Sequence, residues 1–401
     1  MSEWATYTIS EVCRRFSSGK GITASQIFEI GAYPVFGGNG IRGYTDTYNF
    51  EGECAIIGRQ GAYCGNTKYF CGKAYMTEHA IVATANDEHN IGYIANLLSI
   101  MNLGQYQGQS AQPGLSVNTL SKIELKLPDK KTQDSIFSLL SALDKKIALN
   151  KQINARLEEM AKTLYDYWFV QFDFPDANGK PYKSSGGEMV FDETLKREIP
   201  KGWEVKSLGE VITHSTTGLN PRDNFSLGNG ENFYVTIKNI KDNEIKFHTC
   251  AKITDEALNV INKRSKLDKG DILFTSIEPI GSTYLLHEKP KNWDINESVF
   301  SIRSKSDFIT PYFLFMLLSS DEIKSFTRQV STGSVHKGIR HESLKRFTFA
   351  YSGIDLIKNF TNLISPMQQN IFFLQKQNHH LTQLRDFLLP MLMNGQVSVA
   401  E

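Results

Sequence analysis

Apolar residues in two parts of the chain recur in alternating steps of four and three. The first series runs from Ile136 to Trp168 and the second from Phe360 to Leu392, at an offset of 224 residues. A mean spacing of 3.5 residues keeps one stripe of a helix against a partner helix through left-handed supercoiling. The pattern therefore predicts two long helices, each with an apolar stripe that we call the seam. The predicted seam residues include Leu143, Ile147, Asn154, Leu157, Leu164, Met367, Ile371, Asn378, Leu381 and Leu388.

Local signals predict where these helices begin and end. The motif Ser-Pro-Met-Gln at 365–368 resembles a capping box with proline at the first helical position, so the second helix is predicted to begin there. The equivalent start of the first helix is near Ser141. The expected ends are Phe169 and Leu389, because Pro390 should end or kink the second helix. Each helix would then span roughly 25 to 30 residues, or about 40 Å.

Asn154 and Asn378 occupy matching places near the middle of the two seams. A buried asparagine in an apolar seam costs stability but fixes the register of the two helices. The matched pair favours helices that pack on each other. The alternative is that each helix packs on a separate core, as amphipathic helices of globular domains do.

Each predicted helix follows a region with short runs rich in Val, Ile, Phe and Tyr, which are typical of β-strands. The runs are CAIIG, HAIVA and KIELKLP before the first helix, and FYVTIKNI, DILFTS, SVFSIRS and RFTFAY before the second. Short helical stretches at 91–103 and 310–319 interrupt them, so both regions are predicted to be α+β. The Pro, Gly, Ser and Lys content of the segment FDFPDANGKPYKSSGGE predicts an exposed linker.

The predicted organisation has five parts. They are a first globular domain at 1–130, a helix region at 131–170, a linker at 171–200, a second globular domain at 201–352 and a second helix region at 353–395.

The two halves are also related residue by residue. WATYTISEV at 4–12 matches WEVKSLGEV at 203–211, with an offset of 199. SAQPGLSVNTLSKI at 110–123 matches SVHKGIRHESLKRF at 334–347, with the same offset of 224 as the helices. If the two helices pair antiparallel, one chain imitates a two-fold dimer with two equivalent surfaces at a fixed separation. Duplex DNA is a partner that offers two sites at a set spacing.

Composition excludes several classes of protein. Apolar content of 40%, charged content of 22% and a formal net charge of +1 are ordinary for a globular chain, so DNA binding would require local basic patches. The longest apolar run is too short to span a bilayer and the N-terminus lacks a signal sequence, so we expect no membrane association and a cytoplasmic location.

The five cysteines form no C-x-x-C pair, which favours reduced thiols. The spacing of Cys54, Cys64, Cys71 and His79 is unlike that of zinc sites, so no metal site is predicted.

The glycine cluster in YPVFGGNGIRGYTD is a candidate cofactor loop, but the residues after it do not predict the helix that such a loop requires. It is better interpreted as a tight turn, either one whose backbone approaches DNA or one that contacts nothing. The chain has no Asn-Pro-Pro-aromatic or Asp-Pro-Pro-aromatic run and no G-x-x-x-x-G-K-[ST] loop. Glu124-x-Lys126 lacks the preceding Asp of a nuclease motif. We therefore predict no catalytic residues.

DNA-reading residues are expected in loops that follow equivalent strands. Base edges are read by Arg, Lys, Asn, Gln, Ser and Thr, and phosphates are bound by basic and amide groups. For any single residue of this set, a solvated surface position without a DNA contact is as good an interpretation as a DNA contact. The candidates are Gly38, Asn39, Arg42, Arg59, Gln60, Tyr63, Lys68, Gln109, Ser110, Gln112, Thr217, Lys238, Asn239, Ser276, Glu278, Thr332, Ser334, His336 and Lys337.

Several segments together resemble the specificity subunit of Type I restriction-modification systems. They are YPVFGGNGIRGYTD, IIGRQGAYCGN, SAQPGLSVNTLSKIELKLP, LDKKIALNKQINARLEEMAKTLYDYWF and, above all, FDFPDANGKPYKSSGGEMVFDETLKREIPKGWEVKSLGEV. The resemblance extends over essentially the whole chain, although the second helix departs from the usual sequence of the family in the segment HHLTQLRDFLLPMLMNGQV.

The resemblance implies two target recognition domains, each of which reads half of a split site in double-stranded DNA. It also implies that the helices bind two modification subunits and, through them, restriction subunits. The chain itself would carry no cofactor, while the partner subunits would use S-adenosylmethionine, ATP and Mg²⁺. Two alternatives stay open at this point: a single-chain methyltransferase or nuclease with its own recognition domains, and a coiled-coil adaptor that binds only protein.

Overall fold

The structure is a computed structural model, and it describes residues 4–61, 63–108, 114–222, 224–331 and 338–399. The chain forms two compact units. Unit 1 consists of Met1–Leu149 with Asn378–Glu401, and unit 2 of Asn150–Gln377. Each unit contains one globular region, which we call its head, and a part of both long helices. We define head 1 as residues 4–128 and head 2 as residues 201–352.

Head 1 contains eight strands, three α-helices and two short 3-10 helices, Ala24–Gln26 and Leu103–Tyr106, among its described residues. The strands are β1 (Ala5–Thr8), β2 (Cys13–Ser18), β3 (Tyr33–Gly37), β4 (Gly40–Thr45), β5 (Phe50–Gly58), β6 (Thr67–Met76), β7 (Ala80–Ala85) and β8 (Glu124–Leu127). The helices are α1 (Ile9–Val12), α2 (Ile91–Ile100) and α3 (Val117–Ser121), and the first long helix α4 (Lys130–Tyr165) follows. A π-helical turn, Asp166–Val170, continues α4.

The strands after α4 begin with β9 (Met189–Asp192) and β10 (Arg197–Pro200), which precede head 2. Those of head 2 are β11 (Glu204–Ser207), β12 (Ile212–Thr217), β13 (Asn232–Val235), β14 (Ile240–Lys241), β15 (Glu244–Ile245), β16 (Ala251–Ile253), β17 (Ile272–Thr275), β18 (Thr283–Leu285), β19 (Trp293–Ile295), β20 (Val299–Ser304) and β21 (Thr348–Tyr351). The helices are α5 (Leu208–Val211), α6 (Asp255–Ser265), α7 (Pro311–Ser319), α8 (Asp321–Val330), α9 (His341–Lys345) and the second long helix α10 (Ile354–Met393).

The core of head 1 lies between a six-stranded sheet and α2. The strand order is β2-β7-β5-β6-β3-β4, and β1 pairs antiparallel with β8 beside it. Strand β5 is apolar in its second half, where Cys54, Ala55, Ile56 and Ile57 are all buried. Helix α2 packs on β5 and β6 because its apolar residues cover most of its surface.

Head 2 repeats the central sheet and adds a second one. The sheet β12-β20-β17-β18 packs against α7, whose residues from Phe313 to Leu318 are all buried. A separate three-stranded sheet, β16-β13-β19, packs against α6. Both heads are mixed α and β, which confirms the predicted fold class.

The internal repeat is confirmed element by element. Strand, short helix and strand follow each other at 5–18 and again at 204–217, at the predicted offset of 199. Each short helix begins with the same capping box, in which Glu11 accepts from the backbone of Thr8 and Glu210 from that of Ser207, both at 2.6 Å. The pair β1–β8 recurs as β11–β21, and β2–β7–β5 recurs as β12–β20–β17.

The two long helices pack on each other, and they run antiparallel in each unit. In unit 1 the Asn378 amide donates to the Ile147 carbonyl at 3.4 Å, and Arg385 pairs with Asp144 at 2.9 Å. In unit 2 the Asn154 amide donates to the Ile371 carbonyl at 3.4 Å. These contacts agree with the predicted pairing. Of the ten predicted seam residues, Ile147, Asn154 and Ile371 are buried and the other seven are partly buried.

The helix starts predicted from sequence were wrong. Helix α4 begins at Lys130 and α10 at Ile354, eleven residues before Ser141 and Ser365, and they span 36 and 40 residues. Pro366 and Pro390 lie inside α10. Proline inside a helix costs about 3 kcal/mol, but burial of Ile357, Phe360 and Ile364, all 0% exposed, offsets this cost around Pro366.

The segment 171–200, predicted to be an exposed linker, is folded. Strands β9 and β10 form a hairpin, and Phe172 is only 2% exposed. Phe174 stacks between Tyr182 and Trp203, with ring centroids 4.7 and 5.2 Å away. The aromatic residues therefore fasten this segment to the start of head 2. In the part of the chain that the structure describes, no helix is both long and apolar enough to cross a membrane.

Candidate nucleic-acid interface

Within each head, the loop that follows the central strand contacts a second segment of the same head, and the two heads use equivalent positions for this contact. The loop after β5 bridges to the segment before α3 through Gln60 and Gly114, and the loop after β17 bridges to the segment before α9 through Ile277 and Gly338. The backbone bonds are also equivalent. Leu115 N–H donates to the Arg59 carbonyl at 2.9 Å, and Ile339 N–H donates to that of Ser276 at 2.8 Å. In each head the loop after the central strand is therefore bonded to the segment that follows the second predicted reading loop, at 114–115 and at 338–339.

The glycine cluster forms a turn between strands and not a cofactor loop. Gly38 and Asn39 make the turn between β3 and β4, and Gly40 has φ +94°. A Cβ on Gly38 would lie 2.7 Å from the Gln60 carbonyl oxygen. Glycine is therefore required here because the hairpin packs closely against the loop after β5.

A hollow of about 260 Å³ beside this turn collects four of the predicted residues: Gly38, Asn39, Tyr63 and Lys68. Tyr63 is 52% exposed, and the side chains of Asn39 and Lys68 are also exposed. Arg42 is exposed on the neighbouring strand β4. An aromatic ring, an amide and two cations on one surface are suited to bases and phosphates.

Arg59, by contrast, is partly buried and links three segments of head 1. Its Nε donates to the Leu115 carbonyl at 3.3 Å, and its Nη1 donates to the Ser18 hydroxyl at 3.3 Å and to the Glu78 carbonyl at 3.4 Å. The guanidinium therefore holds the end of β2 and two loops in place. Gln60, next to it, is also partly buried.

In head 2 the residue equivalent to Arg59 is Ser276, and it borders an open hollow of about 740 Å³. Of the predicted residues, Thr217 and Ser276 line it, and both are largely buried. The Ser276 hydroxyl donates to the Ser298 carbonyl at 2.8 Å, so this side chain supports the loop. The hollow also contains charged residues that sequence reasoning missed, namely Arg264, Glu297 and Arg340.

Arg264 lies near the end of α6, and its Nη2 donates to the Thr217 hydroxyl at 3.2 Å. Among the described residues, neither Arg264 nor Arg340 has a carboxylate within 4.0 Å. The repeat could not reveal Arg264, because no helix in the described part of head 1 is equivalent to α6. The sequence signal that could have indicated Arg264 was the amphipathic pattern of α6, which ends in a basic last turn.

His341 borders the same hollow as a neutral side chain. It stacks on Phe300 with ring centroids 3.7 Å apart, and its Nδ1 is hydrogen-bonded to the Ser215 hydroxyl. Burial lowers the pKa of His341 to about 4, so the imidazole is uncharged at neutral pH. It therefore lines the hollow as an uncharged ring and adds no positive charge to it.

The remaining predicted residues have different surroundings. Lys238 and Glu278 are exposed. Asn239 is 3% exposed, and its amide oxygen accepts from Thr236 N–H at 2.8 Å while its amide nitrogen donates to Thr249. Because this side chain is used within the fold, we leave it out of the proposed interface. The other seven residues lie outside the part that the structure describes: Gln109, Ser110, Gln112, Thr332, Ser334, His336 and Lys337.

The cysteines lie mainly within the fold. Burial raises the pKa of Cys13 and of Cys54 to about 12, so these thiols are protonated and are poor metal ligands. Among the described residues, no three His, Cys, Asp or Glu side chains are grouped so as to hold a metal ion.

Known proteins resemble the chain in sequence and in fold. Residues 1–159 and 200–351 each match the family model for the Type I restriction modification DNA specificity domain. The chain is 41% identical over 141 residues to the Type I restriction enzyme EcoprrI specificity subunit of Escherichia coli. That match covers 34% of this chain and 35% of that protein, so it spans about a third of the relative's length.

A longer match is 24% identical over 332 residues to the Type I restriction enzyme MjaIX specificity subunit of Methanocaldococcus jannaschii. It covers 77% of this chain and 69% of that protein. The fold is similar to the crystal structure of a Type I restriction-modification system S subunit from M. genitalium, with a TM-score of 0.67 at 15% identity over 98% of this chain and 96% of that one. At this identity the structural match indicates a shared fold only.

Proposed function

The chain belongs to the Type I restriction modification DNA specificity domain family, and we propose that it is the DNA-recognition subunit of a Type I restriction-modification complex. Each head reads one half of a bipartite DNA sequence. The chain is a non-catalytic subunit, as the naming of its relatives as specificity subunits supports.

The observation that carries this proposal is the repetition of one scaffold with different surfaces on it. In both heads, the same two loops meet through the same bridge, Gln60–Gly114 in one and Ile277–Gly338 in the other. The polar groups around these bridges differ. In head 1 Arg59 occupies the position of Ser276 and the glycine turn packs against Gln60. Head 2 instead has an open hollow with Arg264 and Arg340. Equivalent frames with different polar groups suit two half-sites of different sequence.

The long helices are proposed to bind two modification subunits and, through them, restriction subunits. S-adenosylmethionine, ATP and Mg²⁺ would be bound by those partners. Exposed apolar side chains on the helices are suited to protein contacts. Leu149 is 49% exposed and Phe373 is 64% exposed, and they occupy equivalent positions in the two helices.

The lengths of the helices are proposed to set the gap between the half-sites. We would insert one heptad after Leu149 and one after Gln377, which are the boundaries between the units. Seven helical residues add about 10 Å, which corresponds to about three base pairs at 3.4 Å per pair. The methylated motif should keep both half-sites and gain about three base pairs between them, as read by methylome sequencing of a host that also makes the modification subunit.

The matched control is a single insertion, after Leu149 only, which puts the two seams out of register and should abolish methylation. An unchanged gap after the double insertion would contradict the proposal. A separate assay addresses catalysis: the purified chain, incubated with DNA and S-adenosylmethionine without partners, should transfer no methyl groups.

A further inference from the structure

Each head contains the same corner, built from four equivalent positions, which we call the shared corner. The pairs are Ser18 and Thr217, Arg59 and Ser276, Glu78 and Glu297, and Leu115 and Ile339. Backbone bonds fix the equivalence: Arg59 N–H donates to the His79 carbonyl and Ser276 N–H donates to the Ser298 carbonyl, both at 2.9 Å. The two corners therefore have one backbone frame.

A glycine keeps the hydroxyl of each corner in place. Gly19 follows Ser18 and Gly218 follows Thr217. A Cβ on Gly19 would lie 2.1 Å from the Met76 carbonyl oxygen, and one on Gly218 would lie 1.6 Å from that of Ile295. Any larger residue would push the strand end away, so glycine fixes the position of the neighbouring hydroxyl.

A guanidinium is bonded to that hydroxyl in both heads, but it comes from different places in the chain. In head 1 it belongs to Arg59 of the corner itself and bonds to Ser18 at 3.3 Å. In head 2 the equivalent position is Ser276, and Arg264 of α6 bonds to Thr217 at 3.2 Å instead. An arginine therefore contacts the equivalent hydroxyl in both heads, although the two arginines are at non-equivalent positions in the sequence.

Both guanidinium groups retain unused donors. Arginine has five N–H groups. Among the described residues, Arg59 uses Nε and Nη1, and Arg264 uses only Nη2. Each arginine can therefore still donate to an oxygen of a bound ligand.

Each corner also contains a carboxylate, and this group opposes anion binding. The Glu297 oxygens accept from Asn220 at 2.9 Å and from the Tyr234 hydroxyl at 3.3 Å. Glu78 lies 3.2 Å from the His79 imidazole. Neither carboxylate is within 4.0 Å of the guanidinium of its corner, so neither neutralises it by an ion pair.

We propose that Arg59 and Arg264 each bind one backbone phosphate of DNA, at equivalent points of the two half-sites. The inference rests on the proposed function. The arginine contact is common to both heads, whereas the other polar groups around it differ. The phosphate backbone is the part of DNA that does not depend on sequence, so it is the suitable ligand for a common contact. Guanidinium groups are suited to phosphate because they present a planar fork of donors.

The test is Arg264→Gln in the full chain assembled with its modification subunit. Affinity is measured over a range of salt concentrations on two duplexes, one with the motif found by methylome sequencing and one with both half-sites scrambled. Loss of one phosphate contact should lower the slope of log K against log salt by about 1 and the affinity by about fivefold at 0.15 M salt. Both duplexes should be affected equally, and the methylated motif should stay the same.

Lys263→Gln is the matched control, since Lys263 is exposed beside Arg264 but does not line the hollow. It should leave the slope unchanged, and Arg264→Lys should restore the slope by returning the charge. An unchanged slope in Arg264→Gln would overturn the inference, as would a loss confined to the motif duplex with a relaxed second half-site, which would make Arg264 a base reader. If the unaltered complex does not prefer its motif, the proposed function itself fails.

Discussion

Head 1 and head 2 have the same frame but different interiors and surfaces. In head 1, β3 and β4 extend the central sheet to six strands, whereas in head 2 the added residues form a separate three-stranded sheet with α6. The paired first and last strands, the capping boxes and the bridged loops are the same in both. The comparison shows that the common parts position the loops, while the added parts determine which polar groups surround them.

The interiors differ most at the central strand. Asp271 of head 2 is 0% exposed, and Arg303 donates to its two oxygens at 2.6 and 2.8 Å. The equivalent residues in head 1 are Cys54 and Thr84, which make no such pair. Head 2 therefore contains a fully buried carboxylate, paired with a partly exposed guanidinium, at a position where head 1 has the small side chain of Cys54.

Removal of the Asp271 carboxylate should have the largest effect. Asp271→Ala would remove the carboxylate that Arg303 contacts. Because Arg303 is 36% exposed and also donates to the Lys266 carbonyl, we expect a cost of about 3 kcal/mol, at the lower end of the range for a broken buried pair. Cys54→Ala removes only a buried thiol and should cost about 1 kcal/mol. Urea-induced unfolding followed by circular dichroism would measure both. Adding Arg303→Leu to Asp271→Ala should recover part of the loss, and equal costs for the two single variants would contradict the expected difference.

The two corner glycines should be the next most sensitive sites. Gly218→Ala and Gly19→Ala each place a methyl group against a backbone carbonyl, and overpacking of this kind costs about 1–3 kcal/mol. The loss should be larger at Gly218, where the nearest atom is 1.6 Å away compared with 2.1 Å at Gly19.

Thermal unfolding of the two glycine variants would rank them. Gly108→Ala is the control, since no atom of the described residues lies within 4 Å of a Cβ there. If all three variants melted at the same temperature, the shared corner would not require glycine.

The seam asparagines should show a smaller effect of opposite sign. Asn154 is 8% exposed and its Oδ1 has no hydrogen-bond partner among the described residues, while Asn378 is only partly buried. Asn154→Leu should therefore raise stability by roughly 1 kcal/mol, and more than Asn378→Leu does.

Urea midpoints would compare the two variants, and crosslinking of cysteines introduced at positions 144 and 385, which face each other across the two helices, would report the register. In the double variant that carries both Asn154→Leu and Asn378→Leu, the register of the two helices should become less well defined, because each asparagine favours one alignment. A fall in the urea midpoint of Asn154→Leu would contradict the expected gain.

The effect that is smallest at neutral pH concerns His341, which contributes mainly to acid stability. The pKa of His341 is about 4 in the folded chain and about 6.5 when unfolded, so the unfolded state binds more protons between these values. Stability contributed by the neutral imidazole is therefore lost as the pH falls from 6.5 to 4. His341→Val, which introduces the residue found at the equivalent position 117 of head 1, should flatten this part of the stability profile.

Burial also lowers the pKa of His287 to about 4, so part of the acid loss will remain. Melting temperatures at pH 7 and pH 5 would measure the difference. His248→Val is a control, since His248 is a turn residue outside the hollow. An unchanged slope between the two pH values in His341→Val would contradict the assignment.

The sequence repeat predicted the frame well because both copies keep the same periodic positions and caps. Local signals failed at the helix starts. Ser365 and Pro366 imitate an N-terminus, but burial of Phe360 in the aromatic cluster with Trp168 and Phe169 extends the helix beyond them. Asp129 was the better signal for α4, since its carboxylate accepts from Thr132 N–H at 3.0 Å.

The interface was only partly predictable for a physical reason. Gly38, Asn39, Tyr63 and Lys68 were found because they lie on two hairpins, β3–β4 and β5–β6, whose turn signals are local. Arg264 meets Thr217 across 47 residues, and only the folded chain brings them together. Ser276 and Asn239 have polar side chains that suggest DNA contacts, but the fold uses their hydrogen bonds internally.

The asparagine contacts of the seam have a consequence for inherited variation. Each amide reaches a main-chain oxygen, of Ile147 or of Ile371, and not a side chain. Every amino acid offers such an oxygen, so a mutation at position 147 or 371 can change volume without abolishing the bond. The opposite positions, 154 and 378, have no such freedom, and a population of related genes should therefore tolerate substitution on one side of each contact far more than on the other.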